Sequence, residues 1–386
     1  MRLTKLSAGV AAAAAASLLL AACGDSGDPA APGDDATSEA GGELTPVSLQ
    51  LQWFIQGQFA GYLAADALGY YEDAGLDVEI VEGGVDIVPQ AVLADGTVDY
   101  AIAWVPKALA SREQGAGITN VAQIFERSGT LQVAWADSGI SASADLAGKK
   151  VGNWGFGNEF ELFAGMTGAG LDPATDVTLV QQQFDMNALL AREIDAAQAM
   201  TYNEYAMLLE AENPDTGELY TADDFTAIDW NDEGVAMLQD AVWANTERLE
   251  GDADYQATTV AFLTASLRGW IHCRDNVEEC RDITVAAGSQ LGNSHQAWMV
   301  NEINKLIWPS TNGIGTIDKA MWDQTVEIAM TAQNDQGATV LTREPEGLAY
   351  TNDYVEQALE ALKADGEDVM GEGYKPIEVE LAAGGN

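Results

Sequence analysis

Hydrophobic and polar positions alternate where the predicted folded part of the chain begins. Val47, Leu49 and Leu51 occupy every second position, and serine or glutamine fills the positions between them. A period of two predicts a strand with one buried face. Residues 53–59 follow and mix aromatic side chains with amides. Ligands of α/β proteins bind where strands end, so this loop is a candidate binding site.

Helical spacing replaces the alternation immediately afterwards. Apolar residues recur at helical spacing over 62–68, Gly69 is a suitable helix end, and residues 77–81 predict a second strand. Strands and helices continue to alternate, with further strands predicted at 98–104, 121–125, 130–135, 177–180, 196–200 and 225–230. This order predicts an α/β fold with mainly parallel sheets.

Two strands are predicted to carry the chain between two lobes. We place these crossings near residues 130–136 and 226–232, and we expect helices to dominate 235–332. A hinge of two strands allows lobes to close around a ligand. The predicted domains are lobe 1 from 45–134 and 233–345, lobe 2 from 135–232, and a C-terminal helix with a loosely packed acidic tail from 346–386.

The charge of the chain limits what it can bind. Its 386 residues carry a formal net charge of −44, although 47% hydrophobic and 20% charged residues are ordinary for a globular protein. An acidic surface argues against nucleic acid, which needs a basic face, and against electrostatic docking to anionic lipid. We interpret the charge as adaptation to the environment, and the alternative is a functional acidic patch.

The first residues have the pattern of an export signal. Basic residues precede an apolar stretch at 10–20, and small residues lead to Cys23. The sequence LAAC that ends at Cys23 resembles a bacterial lipobox, which implies cleavage before this cysteine and lipid attached to it. The alternative is a secretory leader with an incidental cysteine. We predict a lipoprotein signal peptide at 1–22 and a disordered tether at 23–44.

Aromatic residues near predicted strand ends form the first candidate site. Rings from both lobes can hold a flat ligand by stacking, and the alternative for each ring is packing in the core. The set as a whole favours a stacking cleft. Its members are Trp53, Phe59, Tyr62, Trp104, Trp154, Phe156, Tyr202 and Trp230.

Amides and carboxylates in the same regions form a second candidate set. Such groups can read the donors and acceptors of a heterocycle, although capping and loop solvation are the alternatives. Asn158, for example, could cap a helix that begins at Phe160. The set consists of Gln56, Gln58, Asn158, Glu159, Asp185, Asn203 and Glu204.

The glycine turn at 152–159 is a third candidate, since its backbone N–H groups could hold an anion or a carbonyl oxygen, and a plain tight turn is the alternative. Glu159 in this turn would repel phosphate, which favours a neutral or cationic ligand.

Two cysteines in the C-terminal half are candidates for a disulfide. Six residues separate Cys273 from Cys280, and thiols of an exported chain oxidise. The alternative is a metal site that includes His272, but no CxxC pattern supports zinc. We predict no metal site, and we interpret His295 as structural rather than catalytic.

Several motifs share one likeness. They are the tryptophan after the first strand, Phe59-Ala60-Gly61, Gly69-Tyr70-Tyr71, and the segments 152–160, 200–205 and 301–309. They resemble those of ABC-importer solute-binding proteins, and most closely the branch that serves thiamine pyrimidine precursors and riboflavin. The resemblance implies a periplasmic-binding-protein type II fold with two α/β lobes. It also implies a monomer without a cofactor that passes a small heteroaromatic ligand to an ABC permease and ATPase outside the cytoplasmic membrane.

The resemblance also brings an enzyme into consideration. The same superfamily includes fungal thiamine-pyrimidine synthases, which consume their own histidine and bound pyridoxal phosphate, with iron. Here the first loop has Gln58 and Phe59 where a histidine would be wanted, no lysine is near it, and the sequence has no cysteine-rich iron motif. We therefore predict a binding protein rather than an enzyme, with riboflavin favoured and a thiamine pyrimidine precursor second. A sensor or adhesion protein is the third class.

Overall fold

A computed structural model describes residues 43–386 of the protein. The predicted signal peptide, Cys23 and most of the predicted tether lie outside the described residues. Among the helices of 43–386, none combines the length and the apolar composition that a membrane crossing requires.

Strands in the described residues form two five-stranded sheets. The strands of the first sheet are β1 (Thr45–Gln50), β2 (Leu76–Val81), β3 (Tyr100–Trp104), β4 (Ile118–Gln123) and β10 (Asp240–Asn245). The strands of the second sheet are β5 (Thr130–Trp135), β6 (Lys150–Asn153), β7 (Thr178–Gln181), β8 (Ala196–Met200) and β9 (Phe225–Asp229). The predicted alternation in β1 holds only in part: Val47 and Leu49 are buried in the core and Ser48 is half-buried, but Gln50, which was expected on the polar face, is buried as well.

Each sheet contains one strand that runs against both of its neighbours. The first sheet has the order β2-β1-β3-β10-β4, and β10 is antiparallel to β3 and β4. The second has the order β7-β6-β8-β5-β9, and β5 is antiparallel to β8 and β9. Both reversed strands are the first ones after the chain has crossed from the other sheet. They begin where the parallel strands end, so the crossings join the carboxyl edges of the two sheets.

The chain crosses between the sheets twice, as the sequence predicts, but the positions differ. The crossings occupy 124–129 and 230–239, because β5 lies entirely in the second sheet and β9 forms its edge. The predicted boundary at 134/135 therefore falls inside a strand. The strand β10 is also missing from the prediction, which assigns helix to this region. Its short apolar run lies directly before a helix, and periodicity cannot separate the two.

Side chains tie the two crossings to each other. The Gln239 amide donates to Ser128 Oγ at 3.0 Å and to Thr130 Oγ1 at 2.6 Å, and it accepts from the Gly129 N–H at 2.9 Å. The buried Glu161 carboxylate accepts from the Met237 N–H at 2.6 Å. These bonds fix the relative positions of the segments that a hinge would use.

Helices surround both sheets. They are α1 (Ala60–Ala67), α2 (Tyr70–Asp73), α3 (Pro89–Ala94), α4 (Val105–Glu113), α5 (Phe160–Gly168), α6 (Asn187–Leu190), α7 (Glu204–Leu209), α8 (Thr246–Gly251), α9 (Ala253–Asp275), α10 (Val277–Ala286), α11 (Asn293–Ile307), α12 (Lys319–Thr331) and α13 (Asp353–Ala364).

Close packing of α1 against α9 fixes the loop that precedes α1. A Cβ at Gly269 of α9 would lie 2.0 Å from the carbonyl oxygen of Gly61 in α1, so only glycine fits there. A disulfide joins Cys273 in α9 to Cys280 in α10, with 5.5 Å between their Cα atoms. Close packing therefore holds α1 against α9, and the disulfide holds α10 against α9.

The C-terminal segment makes specific hydrogen bonds to the rest of the protein, although its residues from 372 to 384 are exposed or half-buried, as expected for a loosely packed tail. The carbonyl of Met370 accepts a hydrogen bond from the Ser310 N–H. The side-chain amide of Asn301 donates to the Ile377 carbonyl and accepts from the Ile377 N–H. Further on, the Gly384 N–H donates to the Glu210 carbonyl at 3.1 Å. An acidic composition does not reveal such partners, because backbone groups of any sequence can form these bonds.

Candidate functional site

A cavity of about 590 Å³ lies between the carboxyl edges of the two sheets. From the first-sheet side it is lined by residues of the loop after β1, the segment before and at the start of α3, and the end of β3 with α4. From the second-sheet side it is lined by the turn after β6, by Phe184, and by residues after β8. The cavity is therefore built by both sheets, at the edge where α/β proteins bind ligands.

Most of the predicted site residues line this cavity. They are Trp53, Gln56, Gln58, Trp104, Trp154, Phe156, Asn158, Tyr202, Asn203 and Glu204. Aromatic and amide side chains at strand ends thus meet in space, as the sequence suggests, although they are far apart along the chain.

Other predicted residues have structural roles instead. Phe59, Tyr62 and Trp230 are buried in the hydrophobic core, and the Tyr62 ring packs edge-on against Trp270. Asp185 accepts from the backbone N–H of Asn187 at 2.9 Å and so stabilises the beginning of α6.

Glu159 does not line the cavity. It precedes α5 as the residue at its N-terminal boundary, and burial raises its pKa. The sequence could not separate these roles from ligand contact, because helix ends and core positions use the same residue types.

Phe184 joins the aromatic residues of the two sides. Its ring centroid lies 4.8 Å from that of Trp53 and 5.9 Å from that of Trp154, with the latter pair nearly parallel. Phe156 stands at the rim, 81% exposed, with a positive φ of 56° between two glycines of positive φ. A bulky residue in this backbone region is strained, and such strain is concentrated at functional sites.

Asp240 supports the lining from behind. Its Oδ1 accepts from Gln52 Nε2 at 2.6 Å and from Trp104 Nε1 at 2.7 Å, and its Oδ2 accepts from Gln58 Nε2 at 2.9 Å. Burial raises the pKa of Asp240 to about 7, and these hydrogen bonds oppose the rise. One carboxylate therefore sets the orientation of three side chains that face the cavity.

Lys107 places a positive charge in the cavity lining. Its Nζ donates to Asn158 Oδ1 at 2.7 Å and lies 5.0 Å from the centre of the Trp104 ring. Burial lowers its pKa to about 8, while Glu159 and Asp240 act in the opposite direction. The sequence-based statement that no lysine is near the first loop is therefore wrong in space. The preference for a neutral or cationic ligand also loses its basis, since Lys107 and not Glu159 faces the cavity.

Asn203 and Glu204 supply the polar groups after β8. The Glu204 carboxylate accepts from the Met200 N–H at 3.0 Å through Oε2 and from Asn203 Nδ2 at 2.9 Å through Oε1. Both residues are buried, and burial raises the pKa of Glu204. A carboxylate with remaining lone pairs can accept a hydrogen bond from a ligand N–H.

A protein-family model described as NMT1/THI5 like matches residues 56–280. The chain belongs to the NMT1/THI5-like family. The match covers both sides of the cavity, from the Gln56 loop to β10 and beyond.

Relatives of this NMT1/THI5-like chain include binding proteins. It is 26% identical over 323 residues to a protein named riboflavin-binding protein RibY from Chloroflexus aurantiacus, which covers 81% of this chain and 86% of that protein. It is 23% identical over 241 residues to a formylaminopyrimidine-binding protein from Halalkalibacterium halodurans, with 62% of this chain and 70% of that one covered. A putative thiamine biosynthesis protein of Haemophilus influenzae is 28% identical over 39% of this chain, which spans only 48% of that relative.

Solved structures establish the fold. The periplasmic aliphatic sulphonate binding protein SsuA of Escherichia coli matches with a TM-score of 0.54 at 15% identity, covering 87% of this chain and 94% of that one. The desulfurization enzyme DSZB matches with a TM-score of 0.52 at 13% identity, covering 82% and 99%. The NMT1/THI5-like chain therefore has the periplasmic-binding-protein fold, and this fold alone does not separate binding from catalysis.

Histidine is absent from the cavity lining of this NMT1/THI5-like protein in the part of the chain that the structure describes. Of the two histidines in the sequence, His272 contacts Glu279 outside the site and His295 lies behind Asn203. The lining thus does not fit a synthesis that consumes a histidine of the protein. Within 43–386 there is also no cluster of three or more His, Cys, Asp or Glu side chains arranged for a metal ion.

Sequence reasoning missed Gln52, Lys107, Phe184 and Asp240. Lys107 follows the aromatic end of β3 by three residues, in the first turn of α4, and this position was a usable signal. Asp240 and Phe184 gave no such signal, because their roles depend on pairing between distant segments.

Proposed function

We propose that this protein is an extracytoplasmic substrate-binding protein that captures a flat heteroaromatic compound in the cavity between the two sheets. The observation that carries the proposal is the lining itself, where aromatic rings from both sides surround a volume of about 590 Å³. Cavities of a few hundred Å³ with apolar walls and a few polar groups are typical of small-molecule sites.

Stacking supplies the affinity in this proposal. Trp53 comes from the first-sheet side, while Phe184 and Trp154 come from the second. A flat ligand that enters between these rings gains contact with both sides at once, so its binding favours approach of the two sheets. The two crossings between the sheets then act as the hinge, with the domains as lobes.

Hydrogen bonds supply the selectivity. Lys107 and the Gln58 amide each donate one N–H within the protein, and their remaining N–H groups can donate to a ligand, whereas Glu204 offers an acceptor. A heterocycle with carbonyl oxygens and a ring N–H satisfies both kinds of group. Leaving one of these buried groups unpaired costs about 1–3 kcal/mol, which is enough to reject a ligand of the wrong pattern.

Riboflavin is the favoured ligand, and a thiamine pyrimidine precursor is second. The relative with the broadest coverage of this chain among those described above is named for riboflavin, and another is named for formylaminopyrimidine. The tricyclic ring of riboflavin is broad enough to contact several aromatic side chains. The Lys107 amine donates hydrogen bonds and accepts none as a cation, so it suits the carbonyl-bearing edge of riboflavin better than a ring that carries amines.

Delivery to a membrane permease completes the proposal. We propose that Cys23 carries the lipid anchor, that residues 23–44 form a tether, and that an ABC permease and its ATPase receive the ligand. The periplasmic-binding-protein fold supports this role, as does the predicted leader. A thiamine-pyrimidine synthase-like enzyme is the alternative. It is supported by the amine of Lys107 in the cavity and by a Legionella pneumophila relative named 4-amino-5-hydroxymethyl-2-methylpyrimidine phosphate synthase, which is 27% identical over 34% of this chain and 42% of that protein.

Titration of purified protein that begins near Glu43 tests the ligand. Riboflavin is added while flavin and tryptophan fluorescence are followed, and a 4-aminopyrimidine is tested in parallel by thermal shift. Saturable one-to-one quenching supports riboflavin. A thermal shift with the aminopyrimidine alone moves the assignment to thiamine salvage. Silence with both probes contradicts the proposed ligand class, whereas formation of an aminopyrimidine after addition of pyridoxal phosphate and iron would favour the enzyme.

A further inference from the structure

A buried histidine lies directly behind the polar end of the cavity. His295, on α11, is 1% exposed. Its Nε2 is 2.9 Å from Oδ1 of Asn203, and its Nδ1 is 2.8 Å and 3.1 Å from the two carboxylate oxygens of Glu210. Both glutamates of this cluster, Glu204 and Glu210, are at α7 or its end, so the contact joins α11 to the second-sheet side.

The partners of Asn203 fix the orientation of its amide. Its Nδ2 is 2.9 Å from Oε1 of Glu204, and the oxygens of an ionised carboxylate only accept. The NH2 group of Asn203 therefore points to Glu204, and its oxygen points to His295. Nε2 of His295 must then donate.

The other ring nitrogen of His295 must donate as well. Nδ1 faces the Glu210 carboxylate, which is also an acceptor. Only the imidazolium form of histidine donates from both nitrogens. The imidazolium of His295 thus donates to the Glu210 carboxylate on one side and to the Asn203 amide oxygen on the other. The Asn203 amide in turn donates to the Glu204 carboxylate.

We propose that His295, as an imidazolium, is a positioning residue for ligand binding: it holds the Asn203 amide so that Glu204 faces the cavity as a charged acceptor. The inference rests on the proposed function and narrows its ligand class. The ligand must bring an N–H donor to Glu204, as the ring N–H of a pyrimidinedione or an amino group of an aminopyrimidine does.

Groups from α7, the C-terminal segment and α11 itself surround His295. Glu210 and Glu204 face it from the α7 side, and the C-terminal segment faces it with the backbone of Gly385. On its own helix the acidic Glu302 pairs with Lys305, and Asn386, the last residue, lies beside Gly292 at the start of α11.

Loss of the proton changes what the cavity presents. A neutral imidazole can donate from one nitrogen only, so either Glu210 or Asn203 loses its partner. If Asn203 loses it, the amide can turn and place its oxygen against Glu204, where two acceptors repel. Protein with a neutral His295 is therefore expected to bind the ligand more weakly.

Imidazole ¹⁵N chemical shifts test the protonation directly, without any ligand. The sequence has two histidines, so His272→Gln leaves the His295 signals alone in the spectrum. Both nitrogens are expected to show imidazolium shifts at the pH used for ligand titration, and Glu210→Gln is expected to shift them toward a neutral tautomer. A neutral tautomer in the wild-type arrangement would overturn the inference, whatever the ligand is.

Affinity measurements test the positioning role. His295→Gln is expected to bind riboflavin, or the aminopyrimidine if that is the ligand, about tenfold more weakly and with a flatter pH profile, whereas His272→Gln is unchanged. Glu210→Gln serves if His295→Gln does not fold. Lower thermal stability with unchanged affinity and pH profile would overturn the inference. Failure of wild-type protein to bind either probe contradicts the proposed function instead, and the ¹⁵N result is unaffected by it.

Discussion

The indole Nε1 of Trp104 donates a 2.7 Å hydrogen bond to Oδ1 of Asp240, and the two residues are directly paired in the first sheet. Trp104 is the last residue of β3 and Asp240 is the first residue of β10. The strand that returns from the second sheet therefore begins by fixing a ring that lines the cavity. Four predictions follow this and related contacts.

Asp240→Asn should weaken ligand binding and lower stability. An asparagine has one acceptor oxygen, so it cannot serve Gln52, Gln58 and Trp104 together, and its NH2 group faces other donors. We expect affinity for riboflavin to fall about tenfold and the free energy of unfolding to fall by roughly 1–3 kcal/mol. Fluorescence titration and urea unfolding measure the two effects. Asp185→Asn, at a helix start, should change neither, and equal behaviour of the two variants would contradict the role of Asp240.

Trp53→Leu should reduce flavin quenching and affinity. Trp53 lines the cavity and contacts Phe184, whereas its neighbour Phe54 is 43% exposed and does not line it. Loss of one aromatic contact costs about 0.5–1.5 kcal/mol beyond the lost area, so we expect affinity to fall at least several-fold. Phe54→Leu is the matched control, measured in the same titration. If both variants bind alike, stacking on Trp53 does not contribute.

Lys107→Met should weaken binding of a ligand that presents carbonyl oxygens. The wild-type amine has its pKa lowered to about 8 by burial, so it donates as a cation below that pH and loses its charge above it. Affinity for riboflavin should therefore fall between about pH 7 and about pH 9 in wild-type protein, and it should fall less in the variant.

Lys363→Met is the control for Lys107→Met, because it removes the same charge from an exposed position on α13. Isothermal titration at the two pH values measures the difference. A variant at Lys107 that binds as tightly as wild-type protein at about pH 7 would refute a contact between this amine and the ligand.

Glu161→Gln should make stability less dependent on pH. Burial raises the pKa of Glu161 from 4.5 to about 7, so the folded state keeps a proton that the unfolded state releases. This contribution to stability is present below about pH 4.5 and is lost as the pH rises through about 7. The free energy of unfolding of the wild-type protein should fall by roughly 3 kcal/mol more than that of the variant over this range.

Urea unfolding at several pH values measures the effect of Glu161. Glu278→Gln, on the exposed face of α10, is the control for the loss of one acidic residue. Comparison with this control matters because the net charge of −44 makes repulsion rise with pH in every variant. Parallel pH profiles for Glu161→Gln and wild-type protein would contradict the prediction.

Local patterns determined the α/β fold and much of the cavity lining. The alternation in β1 and the helical spacing after it depend on neighbours within a few residues, and this is information that the sequence states directly. Trp53 and Trp104 are predicted site residues because they lie at or just beyond the ends of predicted strands. Carboxyl ends of strands meet at one edge of a sheet, so a position along the chain implied a position in space.

Tertiary structure alone decided which side chains work together. Phe59 and Tyr62 are aromatic residues from the same stretch of sequence as Trp53, yet helix packing buries them in the core. Asp240 entered the site because the chain returns from the second sheet beside β3, and His295 reached Asn203 because α11 packs against α7. Such contacts depend on pairing between segments that are far apart in sequence. Short-range periodicity carries no information about that pairing, so the residues that orient the site were visible only in the folded protein.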